Sequence, residues 1–246
     1  FSLIFSIVLR QISGFKALYS ENTAFSIAVN GIFYITVLFI PFFIGYSVLH
    51  RKGAVKELPY GTPNNYPAAI LLIFTGVFIC LLSSISTSAF DSFVEKLFGI
   101  TLKAPETDKP LTSVLSILMQ YISIAVLPAL IEEFCVRGVV MQSLRKYGDG
   151  FAIGVSAVVF ALLHANAVQI PFALIGGLII GYAVIVTDSI WTGIIIHFLN
   201  NAVSVSIKVI SDNTSNKLGI ALTGLMLFVI MILGMLSLVI YLVKYK

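Results

Sequence analysis

Long apolar runs separated by short polar segments dominate the chain. They cover residues 24–49, 67–90, 111–144, 151–168, 171–187, 190–210 and 219–243. An α-helix needs about 20 such residues to cross the hydrocarbon core of a bilayer. Residues 1–9 are apolar too, and we expect them to be the remainder of a first span or an interfacial helix, with the natural N-terminus further upstream. The pattern predicts an all-α, polytopic transmembrane helical bundle of about seven or eight spans, forming a single integral membrane domain over residues 1–246.

The composition supports a membrane protein. The chain is 59% hydrophobic and only 11% charged, whereas soluble domains carry about 25% charged residues. The formal net charge of +4 is small, so we expect membrane lipids around the chain and no nucleic-acid partner. Cys80 and Cys135 lie in apolar runs without metal-type spacing and are predicted to be buried, inert thiols.

The basic residues predict the orientation of the bundle. Alternate threading of the runs places one basic group on one side, namely Arg51, Lys52, Lys56, Arg145, Lys146, Lys244 and Lys246. A smaller group falls on the other side, namely Lys96, Lys103, Lys109 and Lys217. The excess of lysine and arginine marks the cytoplasmic face.

Three charged residues interrupt the apolar run 111–144, in the segment Glu132-Glu133-Phe134-Cys135-Val136-Arg137. Insertion scales put the cost of one charge at a bilayer centre at roughly 2.5–3.5 kcal/mol, so intramembrane ionisable residues suggest a function. Glu133 and Arg137 are four residues apart and are predicted to pair. Glu132 points about 100° away from Glu133 on a helix. It is therefore predicted to remain free to face a cavity, next to a bend at Pro128.

Two later runs contribute further polar groups. His164 ends the segment Phe160-Ala161-Leu162-Leu163-His164, and His197 precedes Asn201 by one helical turn. A carboxylate, two imidazoles and an amide on three helices suit hydrolysis by water. The carboxylate would activate the water, and imidazole and amide groups would stabilise the oxyanion.

Other interpretations of these residues stay open. A single intramembrane histidine or asparagine often hydrogen-bonds to a neighbouring helix, and a Glu–Arg pair can be a structural tie. The alternative function is a non-enzymatic membrane immunity or scaffold protein that retains the polar cluster. A transporter or proton relay is less favoured, because the sequence shows no internal repeat.

The three motifs resemble those of the CPBP family. That family comprises the type II CAAX prenyl endopeptidases, also called Ras-converting-enzyme-like, together with lysostaphin-resistance and bacteriocin-processing or immunity relatives. The motifs are Glu132-Glu133-x-x-x-Arg137, Phe160-x-x-x-His164 and His197-x-x-x-Asn201, and the resemblance covers a core of about residues 110–205. Members commonly carry an aromatic residue where this chain has Val136.

The resemblance implies a CAAX-protease-like helical fold whose polar cavity opens to the cytoplasm. It implies that Glu132 and His164 position and activate the water and that His197 and Asn201 stabilise the oxyanion. Glu133 and Arg137 would order the site or hold the substrate. Glu132, His164 and His197 are also the candidate ligands for a zinc ion. A metal-independent mechanism with glutamate-activated water is slightly favoured over that zinc site.

The function predicted from the sequence is thus an intramembrane endopeptidase acting near the cytoplasmic membrane face. Its predicted partners are a peptide or lipidated protein substrate and membrane lipids. The short loops and compact size favour a bacterial or archaeal cell membrane as its location.

Overall fold

The structure is a computed structural model that describes residues 12–53, 58–100 and 110–245. These residues form eight helices and no strand. The helices are α1 (Ser13–Glu21), α2 (Thr23–Arg51), α3 (Tyr66–Phe98), α4 (Val114–Tyr147), α5 (Asp149–Leu163), α6 (Ile170–Thr187), α7 (Ile190–Asn213) and α8 (Asn216–Tyr245). The predictions for residues 1–9, Lys56, Lys103, Lys109 and Lys246 lie outside the described residues.

Each of the seven predicted apolar runs from residue 24 onward becomes one helix, α2 to α8, which confirms the all-α membrane bundle. Six of them are long and apolar enough to cross a membrane within the described ranges. The seventh, α5, has 15 residues and extends only about 22 Å at 1.5 Å per residue. The described chain therefore contains six full-length candidate spans and one short apolar helix, compared with the seven or eight spans predicted.

Two helix ends differ from the predicted ones, and each lies close to a residue with a left-handed backbone conformation. α3 continues past residue 90, through residues expected to form a loop, and stops where Gly99 adopts a left-handed conformation with φ of 66°. α5 stops before His164, earlier than the predicted residue 168. Ala165 there has φ of 50°, and the Asn166 side chain accepts a hydrogen bond from the Val168 N–H at 2.9 Å.

The connections pack together at two opposite ends of the bundle. At one end the segment before α3 contacts the α6–α7 turn, through the Asn64 N–H to the Thr187 carbonyl (3.1 Å) and the Ile190 N–H to the Pro59 carbonyl (2.8 Å). At the other end the Leu111 N–H donates to Asp212 Oδ2 at 2.8 Å. These contacts agree with alternate threading, which brings the start of α3, the turn between α6 and α7, and Arg145 at the end of α4 to the same face.

Small residues allow the central helices to approach closely. α6 packs against α3, α5 and α7. A Cβ atom added to Gly177 of α6 would lie 3.0 Å from the Ala157 Cα atom of α5. A Cβ atom on Gly193 of α7 would lie 2.7 Å from Val184 Cγ2 of α6. Helix association in membranes relies on such close packing, and here it brings α4, α5 and α7 around the polar motifs.

Candidate active site

α4, the helix that carries the two glutamates, has an irregular backbone. Two π-helical segments, Tyr121–Val126 and Phe134–Met141, flank a short α-helical segment, Leu127–Glu133. Pro128 is near the start of the α-helical segment and has no N–H to donate. π-helical turns are rare and frequently occur at functional sites. Glu132 and Glu133 therefore lie just before a change of helical register.

The predicted pair of Glu133 and Arg137 is present and fully buried. Arg137 Nη1 donates to Glu133 Oε1 at 3.0 Å, and neither side chain is exposed. Arg137 Nη2 donates to the Gly177 carbonyl of α6 at 3.0 Å. The guanidinium carbon also lies 4.4 Å from the centroid of the Phe160 ring. Arg137 thus connects α4 to α5 and α6 while neutralising the Glu133 carboxylate.

Glu133 also fixes the imidazole of His197. His197 Nδ1 lies 2.9 Å from Glu133 Oε1, the oxygen that accepts from Arg137. An ionised carboxylate only accepts hydrogen bonds, so Nδ1 carries the proton. The other ring nitrogen, Nε2, is directed toward Glu132, 3.8 Å from its Oε2 atom. Glu133 therefore sets both the tautomer and the direction of His197, as second-layer carboxylates do for histidines in other sites.

Glu132 has surroundings different from those of Glu133. Its Oε1 atom accepts a hydrogen bond from the Tyr34 hydroxyl of α2. Its Oε2 atom is buried and has no hydrogen-bond partner among the described residues. The Glu132 side chain is 13% exposed, whereas the Glu133 side chain is fully buried. Glu133 is paired as predicted, but Glu132 is not free as predicted, because Tyr34 holds its Oε1 atom and its Oε2 atom is buried.

His164 lies beside this network without a hydrogen bond to it in the described structure. Its Nδ1 atom is 2.9 Å from the Phe160 carbonyl. A carbonyl accepts, so Nδ1 donates and Nε2 keeps a free lone pair. The Phe160 ring meets His164 and His197 edge-on, with centroid distances of 5.0 Å and 5.4 Å. The Phe160 ring therefore contacts both imidazoles.

Asn201 makes a contact between helices rather than joining the glutamates. Its Nδ2 atom donates to the Ile124 carbonyl of α4 at 2.9 Å. Ile124 is four residues before Pro128, which cannot supply the usual helical N–H. Asn201 thus donates a hydrogen bond to the Ile124 carbonyl, for which Pro128 supplies no α-helical N–H donor. One amide hydrogen of Asn201 is used in this way, and the second is available to a ligand.

The structure places the candidate zinc ligands in one region without forming a metal-binding group of three. Glu132 and His197 face each other, but in the described part of the chain no cluster of three or more His, Cys, Asp or Glu side chains is arranged to hold a metal ion. Zinc stays a prediction.

The roles of the Tyr34 hydroxyl, the Phe160 ring and the Gly177 carbonyl were not predicted from the sequence. Tyr34 belongs to an aromatic-rich stretch that resembles ordinary packing surface. The available signal was its hydroxyl, because a phenol inside an apolar helix needs a hydrogen-bond partner when buried. No comparable signal marks the Gly177 carbonyl, since every residue has one.

Comparison with known proteins is consistent with this geometry. Residues 114–203 match the family model described as type II CAAX prenyl endopeptidase Rce1-like. This segment is Rce1-like. It includes all three motifs, from Glu132 to Asn201, so the predicted family resemblance is confirmed.

The chain is also similar to the Bacillus subtilis (strain 168) protein named "Putative membrane peptidase YdiL". The two are 22% identical over 166 residues, which cover 67% of each chain. No solved structure matches the chain significantly. The Rce1-like match and this relative together support a protease, and the apolar helices support a multi-pass membrane protein.

Proposed function

We propose that this chain is an intramembrane endopeptidase that hydrolyses a peptide bond with water activated by Glu132. The observation that carries the proposal is the pair formed by Glu132 Oε2, which has no partner among the described residues, and His197 Nε2, 3.8 Å away. A general base must present a free lone pair to the water that it deprotonates. Glu132 Oε2 satisfies this requirement. Glu133 Oε2 has no partner among the described residues either, but the Glu133 side chain is fully buried and its Oε1 atom is held by Arg137 and His197, whereas the Glu132 side chain is 13% exposed.

The proton transfers of the proposed reaction begin and end at Glu132. Glu132 takes a proton from water as the water oxygen attacks the peptide carbonyl, and the carbonyl π electrons move to its oxygen. The resulting oxyanion is stabilised by donors aimed at its position. When the C–N bond breaks, the proton on Glu132 passes to the departing amine, which leaves a carboxylic acid and an amine as products.

The other site residues have supporting roles in this proposal. His197 and the second amide hydrogen of Asn201 are the oxyanion donors, and the free Nε2 of His164 helps to position the water. His197 would donate to the oxyanion from Nε2, and the Glu133 carboxylate holds its Nδ1 atom as the buried aspartate holds the histidine in a Ser-His-Asp triad. Arg137 compensates the charge of Glu133 and so keeps the network balanced within the membrane.

The proposed substrate is a peptide or lipidated protein whose cleaved bond reaches the site from the cytoplasmic side. The match to a type II CAAX prenyl endopeptidase model supports a peptide near a lipid anchor as the first substrate to test. The location within six apolar candidate spans supports delivery of such a substrate from the bilayer.

Cleavage of a farnesylated CAAX peptide by the purified protein in detergent tests the proposal. The variants are wild type, Glu132→Gln and the control Glu95→Gln, which removes an exposed carboxylate from α3. Mass spectrometry of the products should show cleavage by wild type and by the control. Loss of general-base catalysis should lower the rate of Glu132→Gln by about 100-fold or more.

Two outcomes would contradict this mechanism. One is full activity in Glu132→Gln. The other is peptide binding without cleavage by folded wild-type protein, which would favour a binding function. Adding a metal chelator to the wild-type reaction tests the predicted zinc separately, because the metal-independent mechanism predicts no loss of rate.

A further inference from the structure

A tyrosine from the N-terminal part of the chain reaches the acid pair of α4. Tyr34 lies 98 positions before Glu132 and donates its hydroxyl hydrogen to Glu132 Oε1. Tyr34 is outside residues 114–203, which match the Rce1-like model. The hydrogen bond therefore connects the N-terminal span to the residue that we propose as the general base.

This hydrogen bond decides which oxygen of Glu132 is available. A carboxylate at the end of a side chain rotates about a soft, roughly two-fold torsion, so its two oxygens exchange easily unless one is held. Tyr34 holds Oε1. The other oxygen, Oε2, then faces His197 Nε2 at 3.8 Å and is free of hydrogen bonds in the described structure.

The position of Tyr34 is itself fixed by aromatic packing between α2 and α4. The ring centroids of Phe39 and Phe134 are 5.4 Å apart, and those of Tyr46 and Phe134 are 5.9 Å apart. Phe134 directly follows Glu133, so these contacts hold α2 beside the acid pair. Tyr34 is the last residue before the π-helical segment Ile35–Phe39. The contact of the Tyr34 hydroxyl with Glu132 therefore lies before this change of helical register, and the ring contacts with Phe134 lie at its end and beyond it.

We infer that Tyr34 is a positioning residue for the reaction: its hydroxyl orients the Glu132 carboxylate so that Oε2 meets the water beside His197. This inference rests on the proposed peptidase function. It assigns to α2 a part in the chemistry, since the hydrogen bond fixes the base without contacting the substrate.

Tyr34→Phe tests the inference because it removes the hydroxyl and keeps the ring. Tyr46→Phe is the matched control. It makes the same change on the same helix, at a hydroxyl that has no hydrogen bond to the described residues, next to the same Phe134 ring. We expect Tyr34→Phe to lower kcat by about 10–100-fold, the range for a hydrogen bond to a charged group, with KM within about twofold. The control should keep both constants, and both variants should keep the wild-type melting temperature to within a few degrees.

A second measurement does not depend on activity. The infrared difference spectrum between wild type and Tyr34→Phe should show a shifted carboxyl stretching band. The same substitution in a Glu132→Gln background should leave that region unchanged. A shifted band without cleavage by any variant would support the contact and reject the peptidase function. An unshifted band, or full kcat in Tyr34→Phe while Glu132→Gln is inactive, would overturn the positioning role.

Discussion

Glu132 and Glu133 are neighbours in the chain, yet their carboxylates have opposite surroundings. The Glu133 side chain is fully buried, and its Oε1 atom accepts hydrogen bonds from both Arg137 and His197. Glu132 is slightly exposed, and its Oε1 atom accepts from Tyr34. The Oε2 atom of each glutamate has no partner among the described residues. The difference arises because successive residues on a helix point about 100° apart. Only one of the two carboxylates can face the cationic partner at position 137.

Arg137→Gln is expected to destabilise the protein strongly. Removal of the guanidinium leaves the Glu133 carboxylate buried without a compensating charge, which costs roughly 3–5 kcal/mol in comparable buried pairs. Thermal unfolding in detergent measures the effect. The control is Arg145→Gln, whose partner Asp149 is 49% exposed, so its loss should cost less than about 1 kcal/mol. Equal melting temperatures for the two variants would contradict the structural importance of the buried pair.

At the scale of helices, the site depends on how closely α6 and α7 approach each other. Gly193 of α7 has no side chain where Val184 and Ile180 of α6 and the Glu133 carboxylate converge. An added Cβ atom would lie 2.7 Å, 3.0 Å and 3.2 Å from their nearest atoms, respectively. The glycine thus allows α7 to bring His197 within hydrogen-bond distance of Glu133.

Gly193→Ala should therefore lower both stability and activity. Overpacking of a well-filled interior typically costs about 1–3 kcal/mol, and the displaced Glu133 would no longer hold His197 correctly. Gly154→Ala on α5 is the matched control, because nothing lies within 4 Å of its added Cβ atom. Thermal unfolding and peptide cleavage should show a loss in Gly193→Ala and no loss in Gly154→Ala. If the two alanines behaved alike, the close approach of α6 and α7 would not matter for the site.

The helices and the Glu133–Arg137 pair could be predicted because both follow from local periodicity. Apolar runs specify spans by length, and a four-residue spacing specifies a shared face. The contacts of Tyr34 and of Asn201 could not be predicted in this way. They depend on which helices become neighbours and on the π-helical segments of α4. No short sequence pattern predicts either feature. His164 shows the same limit, since its motif was evident while the contact of the Phe160 ring with both His164 and His197 was not.

At the scale of the whole molecule, the contacts at the two ends of the bundle support one threading. Asn64 and Ile190 lie at one end, and Leu111 and Asp212 lie at the other. The Arg145 side chain also approaches Asp188 at 3.7 Å, which places the end of α4 with the α6–α7 turn. The positive-inside rule predicts that this end faces the cytoplasm.

Cysteine labelling tests this orientation. Lys146 and Lys217 are both exposed, near opposite ends of the bundle. The native cysteines Cys80 and Cys135 are buried and should not react. A membrane-impermeant maleimide should label Lys217→Cys in intact cells and Lys146→Cys only in inverted vesicles, with the unmodified protein as the control. The reversed pattern would mean that the site opens to the other face.

The shortness of α5 has a consequence for the surrounding lipid. The 15 residues of α5 extend only about 22 Å, less than the roughly 30 Å thickness of a typical hydrocarbon core. A bilayer beside helices that are too short thins at a cost that grows with each ångström of mismatch. We therefore expect the reconstituted protein to be more stable in bilayers of 14-carbon acyl chains than in bilayers of 22-carbon chains. Equal melting temperatures in the two bilayers would contradict this expectation. The thinned zone would also shorten the distance that a cytoplasmic peptide must travel to reach Glu132.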